Sequence, residues 1–166
     1  RAVHLHAVGA MFFFSNARFE QLATDYFHAG DAPSLFHHFW SLSLEEQFYV
    51  FWPALLIGGA TLGVVRTRSR KGLLVAAVAL GSFAACVVLT RRNSTSAFYL
   101  LPTRAWELAA GALLAIVGRP VTVSGRAGNA MRGAGLLLIA GAIATFGSVS
   151  SFPGGAAAVP VVGAVR

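Results

Sequence analysis

The chain has 166 residues, of which 56% are hydrophobic and 11% charged, and its mean hydropathy is +0.67. Soluble domains carry about 25% charged residues, so this composition excludes a water-soluble domain and predicts an integral membrane protein. The net charge is +7, but the basic residues stand in the gaps between apolar runs, as in membrane proteins, and form no polar face with interleaved aromatics. We therefore expect a lipid bilayer as a partner and no nucleic acid.

The order of apolar runs predicts an all-α fold, a polytopic transmembrane helix bundle with about five to six spans. The first run, Ala2–Ser15, holds His4 and His6, which we interpret as interfacial residues. A polar and aromatic connection over Asn16–Ser43 indicates an interfacial loop that has room for a short helix. The later runs approach or reach the roughly 20 residues of a span, apart from the last, which is short: Gln47–Val65 with Pro53 inside it, Leu73–Thr90, Ala97–Gly118, Gly133–Ser151 and, after a Pro-Gly-Gly turn, Ala156–Val165.

Basic residues in alternate loops predict the orientation. Loops 66–72 and 118–132 hold seven Lys or Arg residues, whereas loops 16–45 and 91–96 hold three. Because cytoplasmic loops carry the excess of Lys and Arg, loops 66–72 and 118–132 are predicted to be cytoplasmic and the 16–45 connection to face outward.

The first polar cluster lies at the start of the second run. Ser43 and Glu46 form an S-x-x-E pattern, which predicts a capping box in which each side chain satisfies a backbone N–H of the first turn. That reading leaves Glu45, Gln47 and Tyr49 unexplained. Structural and functional roles for the two glutamates therefore both stay open.

The second cluster is Pro102–Glu107. Arg104 and Glu107 are three residues apart, so they share a helix face and can pair. They could be a self-compensated ion pair at the membrane edge. They could equally be a polar site in which Arg104 holds an anionic group such as a phosphate.

Other chemistry finds no support in the pattern. The single cysteine, Cys86, is read as a small apolar helix residue, and it cannot form a disulfide within the chain. Motifs of zinc proteases, nucleotide hydrolases and serine hydrolases are missing, so we expect no metal site.

Three stretches resemble the acyltransferase 3 family of membrane O-acyltransferases. The run from His38 to Tyr49 is similar to the family's H-x-W-S-L-S-x-E-E-Q-F-Y signature and continues into Trp52-Pro53, although Phe39 and Leu44 stand where Thr and Val are common. Tyr99–Glu107, with Gly111, resembles a second family stretch, and Phe14-Ser15-Asn16 resembles a third. The matches occur in the family's order and cover essentially the whole chain.

The resemblance implies that an acyl group, usually acetyl, is transferred from acyl-CoA to a hydroxyl of a carbohydrate or glycolipid acceptor, with no bound cofactor, in a bacterial inner or plasma membrane. It implies two sets of residues. The expected catalytic residues are Glu45, Glu46, Arg104 and Glu107. The expected substrate-binding residues are Asn16, His38, Trp40, Ser41, Gln47, Tyr49 and Trp106. Within these sets we expect Arg104 near a donor phosphate or a developing negative charge, Glu46 orienting the helix start, and Glu45, Trp40 and Tyr49 shaping the acceptor side.

Residues 1–166 are expected to be the central part of a roughly ten-helix acyltransferase domain, truncated at both ends. Members of the family carry an essential histidine and an Arg-rich segment upstream of the matched motifs, so the chain alone is expected to be inactive. Two other classes remain: a transporter or flippase of a glycan or lipid intermediate, which also keeps ions at membrane depth, and a non-catalytic membrane scaffold.

Overall fold

The computed structural model of the chain describes residues 2–24, 37–118, 125–145 and 153–164. These ranges contain eight α-helices and one short 3-10 turn, and no strand is found among them. The helices are α1 (Ala2–Met11), α2 (Ser15–Thr24), α3 (Phe39–Thr61), α4 (Arg68–Arg92), α5 (Ser94–Tyr99), α6 (Leu101–Val117), α7 (Gly125–Thr145) and α8 (Ala158–Ala164), with the 3-10 turn at Gly155–Ala157. The predicted all-α bundle is confirmed.

Three stretches within the described ranges are long and apolar enough to cross a membrane: Arg68–Arg92, Ser94–Val117 and Gly125–Thr145. Many of their large side chains lie on the outside, among them Leu136 and Leu137, which are 68% and 74% exposed. A contiguous apolar exterior is unfavourable in water and is what hydrocarbon requires. The bundle therefore belongs in a bilayer.

The remaining predicted spans differ from the sequence reading. Helix α1 ends at Met11, short of the predicted Ser15, and α2 occupies the first part of the connection, where the sequence left room for a short helix. Helix α3 continues through Pro53 but ends at Thr61, which leaves 14 uncharged residues from Phe48. At 1.5 Å per residue these span about 21 Å, less than the roughly 30 Å of a hydrocarbon core.

The chain's basic gaps are partly helical. Arg126 and Arg132 were expected in a loop, but α7 begins at Gly125 and carries both in its first two turns. At the C-terminal end of α6, the Arg68 guanidinium donates to the carbonyls of Ile116 and Gly118. Carbonyls in the last turn of a helix have no backbone N–H of that helix to accept from. This contact joins the first turn of α4 to the last turn of α6.

The core lies between α4, α6 and α8. Cys86, Trp106 and Ala157 form its buried centre, with Phe83 packed edge-on against Trp106 at 4.9 Å between ring centroids. The Ser82 hydroxyl on α4 accepts the backbone N–H of Trp106 at 3.0 Å. Helices α4 and α6 are thus fixed along their length, so the polar start of α6 has a rigid support.

Candidate functional site

The three family-like stretches meet at one end of the bundle. Asn16 at the start of α2 and Gln47 in the third turn of α3 form a reciprocal amide pair, with the Gln47 Nε2 donating to Asn16 Oδ1 at 2.8 Å. The Asn16 Nδ2 also donates to the carbonyl of Tyr99, the last residue of α5, at 3.1 Å. Residues 31 and 83 positions apart in the chain are therefore in direct contact.

A second polar contact replaces the predicted capping box. Helix α3 begins at Phe39, with His38 at the N-cap position, so Ser43 lies one turn inside the helix. Its hydroxyl donates to the Phe39 carbonyl at 2.8 Å and accepts the backbone N–H of Ser15 at 3.2 Å. The capping-box prediction is wrong. The expectation that Glu46 orients the helix start is wrong with it, because Glu46 lies in the second turn.

An aromatic cluster covers this junction. Trp40 packs against Phe98 and Tyr99, with ring centroids 4.6 and 5.4 Å away, and His37 lies between Phe19 and Tyr99 at 4.9 and 6.4 Å. Aromatic pairs at such distances each stabilise a contact by about 0.5–1.5 kcal/mol beyond the area they bury, and less where a ring is exposed, as His37 is. The cluster therefore holds the start of α3 against α2 and α5.

The Arg104–Glu107 ion pair lies in the first two turns of α6. The Arg104 Nη2 and Glu107 Oε2 are 3.0 Å apart, and the two side chains are 17% and 21% exposed. The guanidinium carbon lies 5.4 Å from the centre of the Phe98 ring, within cation–π range, so the pair adjoins the aromatic cluster. The pair predicted from the i, i+3 spacing is confirmed.

Glu107 is only half satisfied. Its Oε1 is buried and has no hydrogen-bond partner among the described residues, whereas Oε2 holds Arg104. A buried carboxylate oxygen without a donor is costly, so a stable structure normally supplies one. The arrangement can therefore take a further donor group, such as a substrate hydroxyl, beside an arginine that can bind a negative charge.

The other predicted site residues make no hydrogen bond or ion pair to the Arg104–Glu107 pair among the described contacts. His38, Ser41, Glu45 and Tyr49 are exposed. Trp106 lies in the core beside Cys86, so its position supports α4–α6 packing. A role for any of these in contacting a substrate stays a prediction.

Sequence reasoning missed Ser15, Phe98 and Thr103. Thr103 lies inside the second family-like stretch, and the single proton of its buried hydroxyl is shared between the carbonyls of Ala97 and Leu100, 2.8 and 2.7 Å away, which closes the α5–α6 corner. The available signal was a hydroxyl directly after Pro102, at a helix start where side chains commonly cap backbone groups.

Two pockets adjoin this end of the bundle. One, of about 290 Å³, is lined by Ala23, Ser94, Thr95, Phe98 and Tyr99. The other, of about 460 Å³, is almost wholly apolar and lies among residues of α3, α4 and α6, including Phe51, Gly81 and Pro102. The first is lined by hydroxyls and aromatic rings together.

The chain matches proteins of known class. The model of a family described as an acyltransferase domain matches residues 5–165. The peptidoglycan O-acetyltransferase OatA of Listeria monocytogenes is 31% identical over 115 residues, which are 67% of this chain and 18% of that protein. A candidate peptidoglycan O-acetyltransferase of Bacillus subtilis is 32% identical over 113 residues, with the same two shares. A protein named as a membrane-bound transacylase in Komagataeibacter xylinus is 33% identical over 119 residues, 70% of this chain and 28% of that protein.

The chain thus spans about a fifth of the length of the two peptidoglycan O-acetyltransferase relatives. No solved structure matches it significantly.

Proposed function

The chain belongs to the acyltransferase 3 family, and from that premise we propose that its whole protein is a membrane O-acyltransferase acting on a carbohydrate of the cell envelope. The proposed reaction moves an acyl group, typically acetyl, from the sulfur of acyl-CoA to an acceptor hydroxyl. Two relatives are named for O-acetylation of peptidoglycan, which supports a glycan as the acceptor.

The observation that carries the proposal is the junction itself. The three stretches that resemble the family come together in one junction, and the half-satisfied ion pair Arg104–Glu107 adjoins that junction through the Phe98 ring. Acyl transfer to an alcohol needs a base for the hydroxyl proton and donors for the oxyanion of the tetrahedral intermediate. The Arg104 guanidinium can donate to the oxyanion. The Glu107 carboxylate oxygen that has no partner among the described residues can accept from the acceptor hydroxyl and orient it.

The position of Arg104 favours one of its two expected roles. With loops 66–72 and 118–132 in the cytoplasm, Arg104 lies 13 residues from the cytoplasmic end of α6, about 20 Å at 1.5 Å per residue. A CoA molecule entering from the cytoplasm would bring its acyl-bearing arm to that depth and leave its phosphates behind. We therefore assign Arg104 to a developing negative charge at the acyl carbonyl, and not to a donor phosphate.

In the proposed reaction, the acceptor oxygen forms a bond to the acyl carbon and loses its proton, and the carbon–sulfur bond of the donor breaks. The CoA thiol leaves with one proton. This chain contributes Arg104 and Glu107 around the reacting carbonyl. We expect the proton acceptor to be the histidine that members of the family carry upstream of the matched motifs.

Acetyl transfer and transport are separated by one assay on the full-length protein. Sealed membrane vesicles of both orientations receive acetyl-CoA labelled in the acetyl group, and label in the envelope glycan is measured. We expect acetyl-glycan only when the donor meets the cytoplasmic face. Uptake of a glycan intermediate without labelled product would instead support the transporter reading, and transfer with the donor on the outer face would contradict the proposed orientation.

A further inference from the structure

The amide pair Asn16–Gln47 joins three chain segments at the base of the site. Asn16 is 3% exposed. Its Oδ1 accepts from Gln47 and its Nδ2 donates to both Gln47 Oε1 and the Tyr99 carbonyl, at 2.8, 3.5 and 3.1 Å. An amide that is this buried and already bonded on both sides has little capacity left for a ligand. The substrate-binding role expected for it from the family resemblance is therefore poorly matched to its position.

Gln47 bonds in a second direction. Its Nε2 also donates to the Phe13 carbonyl at 2.7 Å, and Phe13 has a φ of +56°, in the left-handed region that residues with a Cβ seldom occupy. That conformation turns the chain sharply between α1 and α2. Gln47 therefore holds this strained corner in place. The corner positions Asn16, three residues after Phe13, beside the end of α5.

The contact to Tyr99 lies at the point where α5 stops. Thr103 donates its N–H to Leu100, not to Tyr99, so the Tyr99 carbonyl is free of the helical bond that would continue α5. Asn16 fills that vacancy, and the chain runs extended through Leu100 (φ −91°, ψ 137°) directly into α6. Asn16 therefore holds a backbone group of the α5–α6 corner, five residues before Arg104, while Ser82 and Phe83 hold α6 from the side of α4.

We propose that Asn16 and Gln47 are positioning residues that set the geometry of Arg104 through the Tyr99 carbonyl and the α5–α6 corner, without touching the substrate. This rests on the proposed function of Arg104. A connected series of hydrogen bonds runs from Phe13 through Gln47 and Asn16 to Tyr99, five residues before Arg104. Misplacing a charge-stabilising group by about 1 Å can cost about 100-fold in rate.

The test uses the full-length protein in membranes. Asn16→Asp replaces the donor that faces Tyr99 with an acceptor of the same shape, and Gln47→Glu does the same toward Phe13. We expect kcat to fall about 10- to 100-fold while KM for donor and acceptor stays within twofold, because binding contacts are untouched. The control is Asn129→Asp, the same chemical change at an exposed position on α7, where a carboxylate still accepts from Arg132. That variant should keep full activity.

A double-mutant cycle with Arg104→Lys shows whether Asn16 acts through Arg104. We expect the Asn16→Asp loss to shrink to about threefold or less in the Arg104→Lys background. Full additivity, a raised acceptor KM with kcat kept, or wild-type kinetics in Asn16→Asp would each overturn the proposal. Should Asn16→Asp fail to fold, Asn16→Ala, which buries no charge, takes its place, and failure of both would assign the pair to folding alone. If Arg104→Lys retains full activity, the proposed function fails instead, whatever Asn16 does.

Discussion

Ser43 shows how a residue with a local motif can serve a distant contact. Its hydroxyl bridges the Phe39 carbonyl and the buried Ser15 amide, so it ties α2 to α3. Ser43→Ala leaves that amide without this acceptor, at a cost of about 1–3 kcal/mol. We expect a lower Tm for the full-length protein in detergent. Ser41→Ala is the matched control, since its exposed hydroxyl bonds only within its own helix turn, and an equal loss there would contradict the bridging role.

At this scale, the sequence predicts what depends on spacing alone. Arg104 and Glu107 pair because three residues nearly complete one helical turn. The Ser43–Glu46 pattern equally fits a helix start, but the helix begins one turn earlier, where Trp40 packs against Phe98 and Tyr99. Packing of that ring accompanies the earlier helix start, and its partners Phe98 and Tyr99 lie too far along the chain for a local pattern to predict the contact.

At the scale of helices, α4 follows closely from a continuous apolar run bounded by charge, whereas the predicted run Ala97–Gly118 divides at Leu100 into α5 and α6. Helix α7 extends eight residues further toward its N-terminus than predicted, because residues 125–132 contain no proline to interrupt the helix. A cluster of basic residues favours a loop prediction, yet Arg side chains can lie along a helix end and reach the membrane surface. The shortness of α3 is a further case, since its exit at Thr61 precedes the charged residues that were expected to end it.

Close helix contact gives a prediction for α7 and α8. A Cβ added to Gly135 would lie 2.6 Å from the Gly163 carbonyl oxygen, a backbone atom that cannot move aside. Small residues at such crossings let backbones approach in membranes. Gly135→Ala should therefore push the helices apart and destabilise the full-length protein by about 1–3 kcal/mol, measured as a lower unfolding midpoint.

The control for that change is Gly141→Ala on the same helix. A Cβ there meets open space, and alanine favours the helix by up to about 1 kcal/mol. Stability should be kept or raised. If Gly135→Ala and Gly141→Ala behave alike, α7 and α8 do not pack as described.

At the scale of the whole molecule, composition alone predicts a membrane bundle, because 11% charged residues cannot cover a water-facing surface. The convergence of the three family-like stretches is of another kind. Asn16, Gln47 and Tyr99 meet across separations of 31 and 83 residues, and no periodic pattern encodes such contacts. The family resemblance predicts which residues matter, but only the fold shows that Asn16, Gln47 and Tyr99 are in contact.

The central claim is that Arg104 occupies a fixed place in a reaction site and does more than neutralise Glu107. A charge swap, Arg104→Glu with Glu107→Arg, separates the two readings, because it keeps an i, i+3 ion pair on the same helix face but moves the guanidinium by about one turn. In the full-length protein, each single variant should lose folding or acetyl transfer.

The decisive measurement is acetyl transfer to the envelope glycan by the swapped variant, compared with its Tm. We predict that the swap restores a wild-type Tm while transfer remains at least 100-fold below wild type. Recovery of both stability and transfer would contradict the account, because it would show that any compensated pair at these two positions is enough.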